Sequence, residues 1–215
     1  MYLDVCFKLQ ADFIALNHNY QLWEALAEKF AFLRYDEGKT IGIDSINGKA
    51  IKSGNGSGNG VDTLEITSRS ILRIRTPIQH VNPFLEMCDT QFQIDDDLLE
   101  IYNPHVYPLN PSWALWGRMI AYRGIMDPEG VLEAVRMELN NMGISSDVQL
   151  KIPTYEDSGA PKLSFLMIQD KKIVGFPMYI YELNNEDSMK VQTHGVGDFH
   201  HLGCGIFLPE VKKIS

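Results

Sequence analysis

The stretch Gly195-Val196-Gly197-Asp198-Phe199-His200-His201-Leu202-Gly203-Cys204-Gly205-Ile206-Phe207-Leu208-Pro209 places four glycines within eleven residues, just ahead of a short apolar run. Glycine has no Cβ and accepts positive φ, so such a loop can bring its backbone close to whatever it meets. Backbone N–H groups exposed in it would favour an anion, phosphate above all. The spacing is not the dinucleotide fingerprint, which follows a strand and opens a helix. This loop follows a helix-like segment, Asn184 to His194, and opens a strand, Cys204 to Leu208.

Working outward, Lys172 to Tyr181, Leu163 to Ile168 and Val148 to Ile152 read as strands, with Glu156 to Pro161 an exposed turn. Ahead of them Asp127 caps a helix that Pro128 opens and Gly143 closes; Val131, Leu132, Val135, Leu139 and Met142 form its apolar stripe. Trp113 to Tyr122 is the strand before it. Strand, helix, strands, helix, strand is the ferredoxin-like βαββαβ order, so the fold class is α+β.

The first half shows the same order less cleanly. Tyr2 to Leu9 alternates as a strand, and Asn17 is placed to cap a helix from about His18 to Arg34. Leu22, Leu26, Phe30 and Leu33 recur at helical spacing there, widened by Trp23 and Ala27. Thr40 to Ile43 and Lys49 to Ile51 read as a hairpin about Asn47-Gly48. The run from Ser53 to Gly60, all glycine, serine and asparagine, reads as a mobile loop. Thr63 to Thr67 and Ile71 to Thr76 are strands, Pro77 to Cys88 is a second helix, and Gln91 to Tyr102 is a hairpin turning at Asp95-Asp96-Asp97. Pro104, Pro108 and Pro111 mark 104–112 as a linker between domains at 1–103 and 113–215.

The 215 residues are 45% hydrophobic, enough for a sizeable core, and carry a formal net charge of −9. That sign opposes nucleic-acid binding, which draws on Lys and Arg. The charge is uneven, however: Arg69, Arg73 and Arg75 stand together with no acid from Thr67 to Asn82. Arg73 and Arg75 alternate onto one strand face, where they are either a solvated polar face or a contact for RNA. Cys6, Cys88 and Cys204 lack metal or redox spacing and read as small buried hydrophobes in a reducing cytosol. The N-terminus has no signal-peptide pattern and no segment reaches membrane-spanning length, so a cytoplasmic location without membrane contact is expected.

The loop pattern G-x-G-x-x-(basic)-x-x-G-x-G before a last strand resembles that of the CRISPR-associated repeat-RNA endoribonucleases. These are the type I enzymes of the RAMP superfamily that cut precursor CRISPR RNA, here most similar to their compact, myxobacterial-type branch. Asn17-His18-Asn19-Tyr20 resembles the family's histidine at the start of the first helix. Thr67-Ser68-Arg69-Ser70, with Leu72, Arg73, Arg75 and Pro77, resembles its basic strand, and Val174-Gly175-Phe176 a strand of its second half. The resemblance spans most of the chain and is weakest from Asp36 to Gly60. His200 stands where the family's loop carries an arginine, exchanging a permanent charge for a titratable one. The resemblance implies two tandem ferredoxin-like RAMP domains, no cofactor, and CRISPR repeat RNA, a hairpin, as ligand. Other subunits of a type I effector complex are implied as partners.

For this chemistry RNA brings its own nucleophile, a 2′-hydroxyl. The protein must take a proton, stabilise the phosphorane and protonate the leaving oxygen, for which no metal is required. His18 is the candidate general acid or base: it would sit exposed in the first helical turn, where the helix dipole disfavours the imidazolium and keeps a neutral imidazole available. Tyr20 and Ser70 are candidate assistants through their hydroxyls. Arg69, Arg73, Arg75, Gly195, Gly197, His200, His201, Gly203 and Gly205 are the candidate RNA contacts. A zinc site from His194, His200, His201 and Cys204 has suitable ligand types, but Cys204 lies in the presumed strand, facing a direction the loop histidines need not share.

Overall fold

The computed structural model describes residues 1–35, 40–51, 62–145 and 147–210. The glycine-rich run 53–60, read as a mobile loop, lies outside them. The chain divides into two compact units, Met1–Pro108 and Leu109–Ser215.

The first unit runs β1 (Tyr2–Gln10), β2 (Phe13–Ala15), α1 (Asn19–Lys29), β3 (Gly42–Ile43), β4 (Lys49–Ile51), β5 (Thr63–Glu65), β6 (Ile71–Pro77), α2 (Val81–Leu85), β7 (Thr90–Ile94) and β8 (Asp97–Pro108). Its main sheet has the order β3-β6-β1-β8-β7, and β2, β5 and β4 form a separate small sheet. Omitting the hairpin strand β7, the order is the ferredoxin-like one, with the first strand central. Alternation on β1 sends Val5, Phe7 and Leu9 into a core shared with Leu22 and Leu26 of α1 and Phe84 of α2.

Several sequence expectations change here. Asn47-Gly48 is not a hairpin turn, because β3 pairs with β6 and β4 with β5. Asn47 instead ties down the next turn: its Oδ1 accepts from Ile71 N at 3.2 Å and its Nδ2 donates to Arg69 O at 3.3 Å. The expected linker from 104 is also displaced, since 104–108 continue β8 against β1, with Leu3 opposite Pro108 and Cys6 opposite His105. Pro104 and Pro108 are tolerated because β7 pairs only with 97–101, leaving the other edge of this stretch without a ladder to interrupt. The first helix is shorter than its apolar stripe, ending at Lys29 before a 3-10 turn at Ala31–Arg34.

The second unit runs β9 (Ala114–Ile120), α3 (Pro128–Asn141), β10 (Gln149–Lys151), β11 (Ser164–Ile168), β12 (Lys171–Tyr181), α4 (Asn185–His194) and β13 (Phe207–Pro209). The order β10-β12-β9-β13 is again ferredoxin-like, and its second strand is split: β10 pairs with one end of β12 and β11 with the other. Asp127 caps α3 by accepting from Gly130 N at 2.7 Å, and Asn184 caps α4 by accepting from Asp187 N at 2.8 Å. Leu115, Met178, Ile180 and Phe207 from the sheet meet Val131, Val135 and Val191 from the helices.

Asp4 of β1 lies directly opposite Arg75 of β6. Arg75 grips it with two hydrogen bonds, Nε to Oδ1 at 2.8 Å and Nη2 to Oδ2 at 3.0 Å, with both side chains only about 5% exposed. Removing Asp4 takes these two bonds from a buried guanidinium that water cannot readily reach. Asp4→Ala should therefore destabilise the fold by about 3–5 kcal/mol, read as a lower urea midpoint at constant m-value; an unchanged midpoint would show the pair to be dispensable.

Candidate ribonuclease site

His18 sits at the N-terminus of α1, where it is 2% exposed rather than solvent-facing. The backbone N–H of Ile46 donates to its Nε2 at 3.0 Å, which makes that nitrogen the acceptor. Nδ1 therefore carries the proton and donates it to Ala15 O at 3.1 Å. The imidazole thus links β2, the start of α1 and the segment after β3. Exposure was expected because a helix start usually faces water; here the 44–47 segment folds over it. Asn17 is not the cap: His18 holds that position, with no side-chain cap bond. Tyr20 is half-buried, its ring 6.0 Å from that of Trp23.

Ser70 is buried and closes a turn, its Oγ accepting from Thr67 N at 3.0 Å. Of the three arginines, Arg69 is exposed on this turn, whereas Arg73 and Arg75 are turned inward. Arg73 Nη1 bonds Asp4 Oδ2 at 3.0 Å, and Asp44 lies 3.9 Å from its Nε. Burial opposes the Arg73 charge, but Asp4, with Cys6 and Asp44, outweighs it and raises the pKa. The strand is free of acids in sequence, yet its neighbour β1 supplies one. The strand face read from sequence as either solvated surface or RNA contact is thus occupied by an ion-paired cluster.

The backbone donors of the glycine loop are largely taken up within the second unit. Gly195 N donates to Val191 O, Val196 N to Gly205 O, Asp198 N to Ala121 O and Gly205 N to Met119 O, all at 2.8–3.1 Å. Gly203 N donates to His200 O at 3.3 Å. Gly197 N donates to the Glu138 carboxylate at 2.9 Å, which also accepts from Tyr122 Oη at 2.6 Å. Most of the donors expected to cradle an anion are thus already used, and one carries a carboxylate. The glycines serve a different closeness. A Cβ on Gly195 would come within 2.8 Å of both Gly205 O and His200 Nε2, and one on Gly205 would strike Val196 O and the same ring. Both sit at φ +69°, which favours glycine as well.

His200 is therefore the loop's internal filler. Burial lowers its pKa, against the opposing pull of Glu138, Val196 O and Asp198. Burial, then His200 and Arg123, bring His201 down to about 4. Both rings are neutral near pH 7, so neither offers phosphate the cationic contact expected of them. Burial also pushes the Cys204 thiol up to about 12, away from the thiolate a metal would need. No grouping of three or more His, Cys, Asp or Glu suited to a metal ion occurs among the described residues. A cation beside the loop comes from elsewhere: the exposed Arg123 side chain lies over the Phe199 ring at 5.3 Å, and the backbone N–H of Arg123 donates to Asp198 Oδ2 at 2.9 Å. Sequence reading missed it because Arg123 is far from the loop along the chain.

Two ferredoxin-like units, the second ending in a glycine-rich loop and strand, make up the fold. The chain belongs to the Cas6 CRISPR family, whose model matches residues 3–212. The CRISPR-associated endonuclease Cas6 of Myxococcus xanthus (strain DK1622) is 26% identical over 211 residues, covering 97% of this chain and 82% of that protein. Among solved structures, the product of a Cas6-related gene from Pyrococcus furiosus superposes with a TM-score of 0.69 at 15% identity, over 99% of this chain and 100% of that one. A RAMP protein described as binding different RNA substrates gives 0.65 at 14% identity, over 98% and 100%. These two likenesses show the fold. No helix among the described residues is long and apolar enough to cross a membrane.

The lowered His201 pKa predicts a pH effect with a definite sign. The folded state keeps this ring neutral while the unfolded chain protonates it below about 6.5, so acid favours unfolding. Its share of stability is present above pH 6.5 and is lost as pH falls towards 4. His201→Asn should flatten the decline of thermal midpoint over that window; parallel curves for parent and variant would remove His201 as the cause.

Proposed function

We propose that this chain is an endoribonuclease that binds CRISPR repeat RNA and cuts precursor CRISPR RNA into guides. The observation that carries the reading is the family match across residues 3–212, together with the endonuclease relative aligned along nearly the whole chain. A 2′-hydroxyl attacks the neighbouring phosphorus, its proton leaves to a base, and the 5′-oxygen departs with a proton from an acid. The products are a 2′,3′-cyclic phosphate and a 5′-hydroxyl, and the scheme uses no metal. The setting is the cytoplasm, and the partners are a repeat RNA hairpin and other subunits of a type I effector complex.

His18 is the proposed acid–base group, with Tyr20 and Ser70 of the same unit as proposed assistants. For Nε2 to take a proton from a ribose, the Ile46 amide must first release it, so catalysis would require the 44–47 segment to shift when RNA binds. Arg69 and Arg123, both solvent-facing, are proposed to meet phosphate. The glycine loop, with Gly195, Gly197, Gly203, Gly205, His200 and His201, contributes shape. Arg73 and Arg75 contribute through the strand they brace.

A second reading has its own support. With both His18 nitrogens engaged by backbone and both loop histidines held neutral, the chain also suits a subunit that holds repeat RNA and cuts it slowly or not at all.

Incubation with the repeat RNA from the same genome distinguishes the two readings. Cleavage should continue in excess chelator and stop when the 2′-hydroxyl at the cut site is removed. Cutting that disappears in chelator and returns with magnesium would overturn the metal-free scheme, and binding without cutting in any buffer would establish the second reading.

His18→Ala should lose on two counts. Leaving the Ile46 N–H and Ala15 carbonyl unpaired costs about 1–3 kcal/mol, and losing the acid–base group costs about 10²–10⁴-fold in rate. Thermal midpoint and single-turnover cleavage, measured well below the midpoint, separate them. A variant that melts earlier but cuts at the parental rate would make His18 a structural residue only.

A further inference from the structure

In the second unit, helices α3 and α4 cover one face of the sheet, where Leu115, Met178, Ile180 and Phe207 are buried. The alternate residues therefore lie on the opposite face. They include a continuous row of rings. Trp116 of β9 lies 4.4 Å from Tyr179 of β12, Tyr179 stacks on Tyr181 at 5.5 Å and 10°, and Trp113 follows at 5.7 Å from Tyr181. The three strand rings are half-buried and Trp113 is 47% exposed. A core would not leave such rings in water, and aromatic surface of this extent marks a binding site.

Charge selects the occupant. Lys151 of β10 is directly opposite Tyr179, and Arg118 stands two residues beyond Trp116 on β9; both are exposed. The acid at the margin is Glu210, whose charge, after burial, raises the Tyr181 phenol pKa. Rings for bases on the first and third strands of a ferredoxin-like sheet, with cations for phosphates on the first and second, match the way such sheets hold unpaired nucleotides. A protein surface packing on this face would have no comparable use for Lys151 and Arg118 on an otherwise acidic chain.

We propose that this face binds a single-stranded segment of RNA, with bases stacked along Trp116, Tyr179, Tyr181 and Trp113 and the backbone tracked by Lys151 and Arg118. The proposal rests on the RNA-processing reading only for the identity of the natural strand, the unpaired sequence adjoining the repeat. The binding itself stands on the face alone.

The probe is a fluorescent oligouridine of eight nucleotides, titrated with the full chain at low salt. The parent should bind it, and the same sequence presented as a duplex should compete poorly because its bases are already stacked. Trp116→Leu with Tyr179→Leu should weaken binding by about ten-fold or more for each ring lost, whereas Trp116→Phe and Tyr179→Phe should retain most of it. Lys151→Gln with Arg118→Gln should lower the salt slope by about 0.7 for each contact. Thermal midpoints check that every variant is folded, and a leucine variant that unfolds is replaced by Tyr181→Leu, which removes a ring nearer the strand end. The proposal is overturned if the parent does not bind the oligomer, if the folded leucine variants bind as the parent does, or if the chain elutes as a dimer that the leucine changes dissociate. Failure of the enzyme reading is distinct: repeat RNA would stay intact while the oligomer still bound. Conversely, a parent that cuts repeat RNA but ignores the oligomer refutes this proposal alone.

Discussion

Each unit depends on a first strand that lies inside its sheet and must have both edges hydrogen-bonded. A buried backbone N–H or C=O without a partner is too costly to leave, so β1 and β9 have to recruit strands on both sides. β1 takes residues 71–77 on one edge and 100–108 on the other, and β9 takes β12 and β13. All these partners come from far along the chain. Once they are paired antiparallel, the helices are confined to one face, and the opposite face is left for ion pairs in one unit and aromatic rings in the other.

The same need for satisfaction explains why residues that look reactive are held quiet. His18 meets backbone groups at both nitrogens, the loop amides meet carbonyls or Glu138, and Arg75 meets Asp4. Each contact stabilises its unit and removes a group from the inventory available to RNA. Among the groups left accessible are Arg69 on the 67–70 turn, Arg123 beside Phe199, and the ring row with Lys151 and Arg118. An acidic protein can bind a polyanion through such local groups, because screening over about 8 Å at physiological salt weakens the repulsion of distant carboxylates. The net charge is then a poor guide to where nucleic acid can lie.

Most of the second unit was legible from sequence because its signals are local. Asp127-Pro128 and Gly143 bound α3, and Asn184 caps α4. In the first unit the same signals competed with tertiary ones. Asn47-Gly48 has hairpin chemistry, but its side chain found stronger use bridging to Ile71 and Arg69. Pro104 and Pro108 read as linker because their strand-edge environment is defined only by which strands pair with β8.

By itself, the sequence determined the α+β class and the doubled strand–helix order, since periodicity and caps are properties of consecutive residues, and the resemblance carried by the 195–205, 17–20 and 67–77 motifs pointed to the family. Tertiary structure alone decided the environment of each candidate side chain. Burial and partners depend on residues brought together across strands: Asp4 against Arg75, Ile46 against His18, Ala121 and Met119 against the glycine loop. It also assembled Trp113, Trp116, Tyr179 and Tyr181 into one surface. Strand alternation says that such residues share a face, but only the pairing register says that they touch.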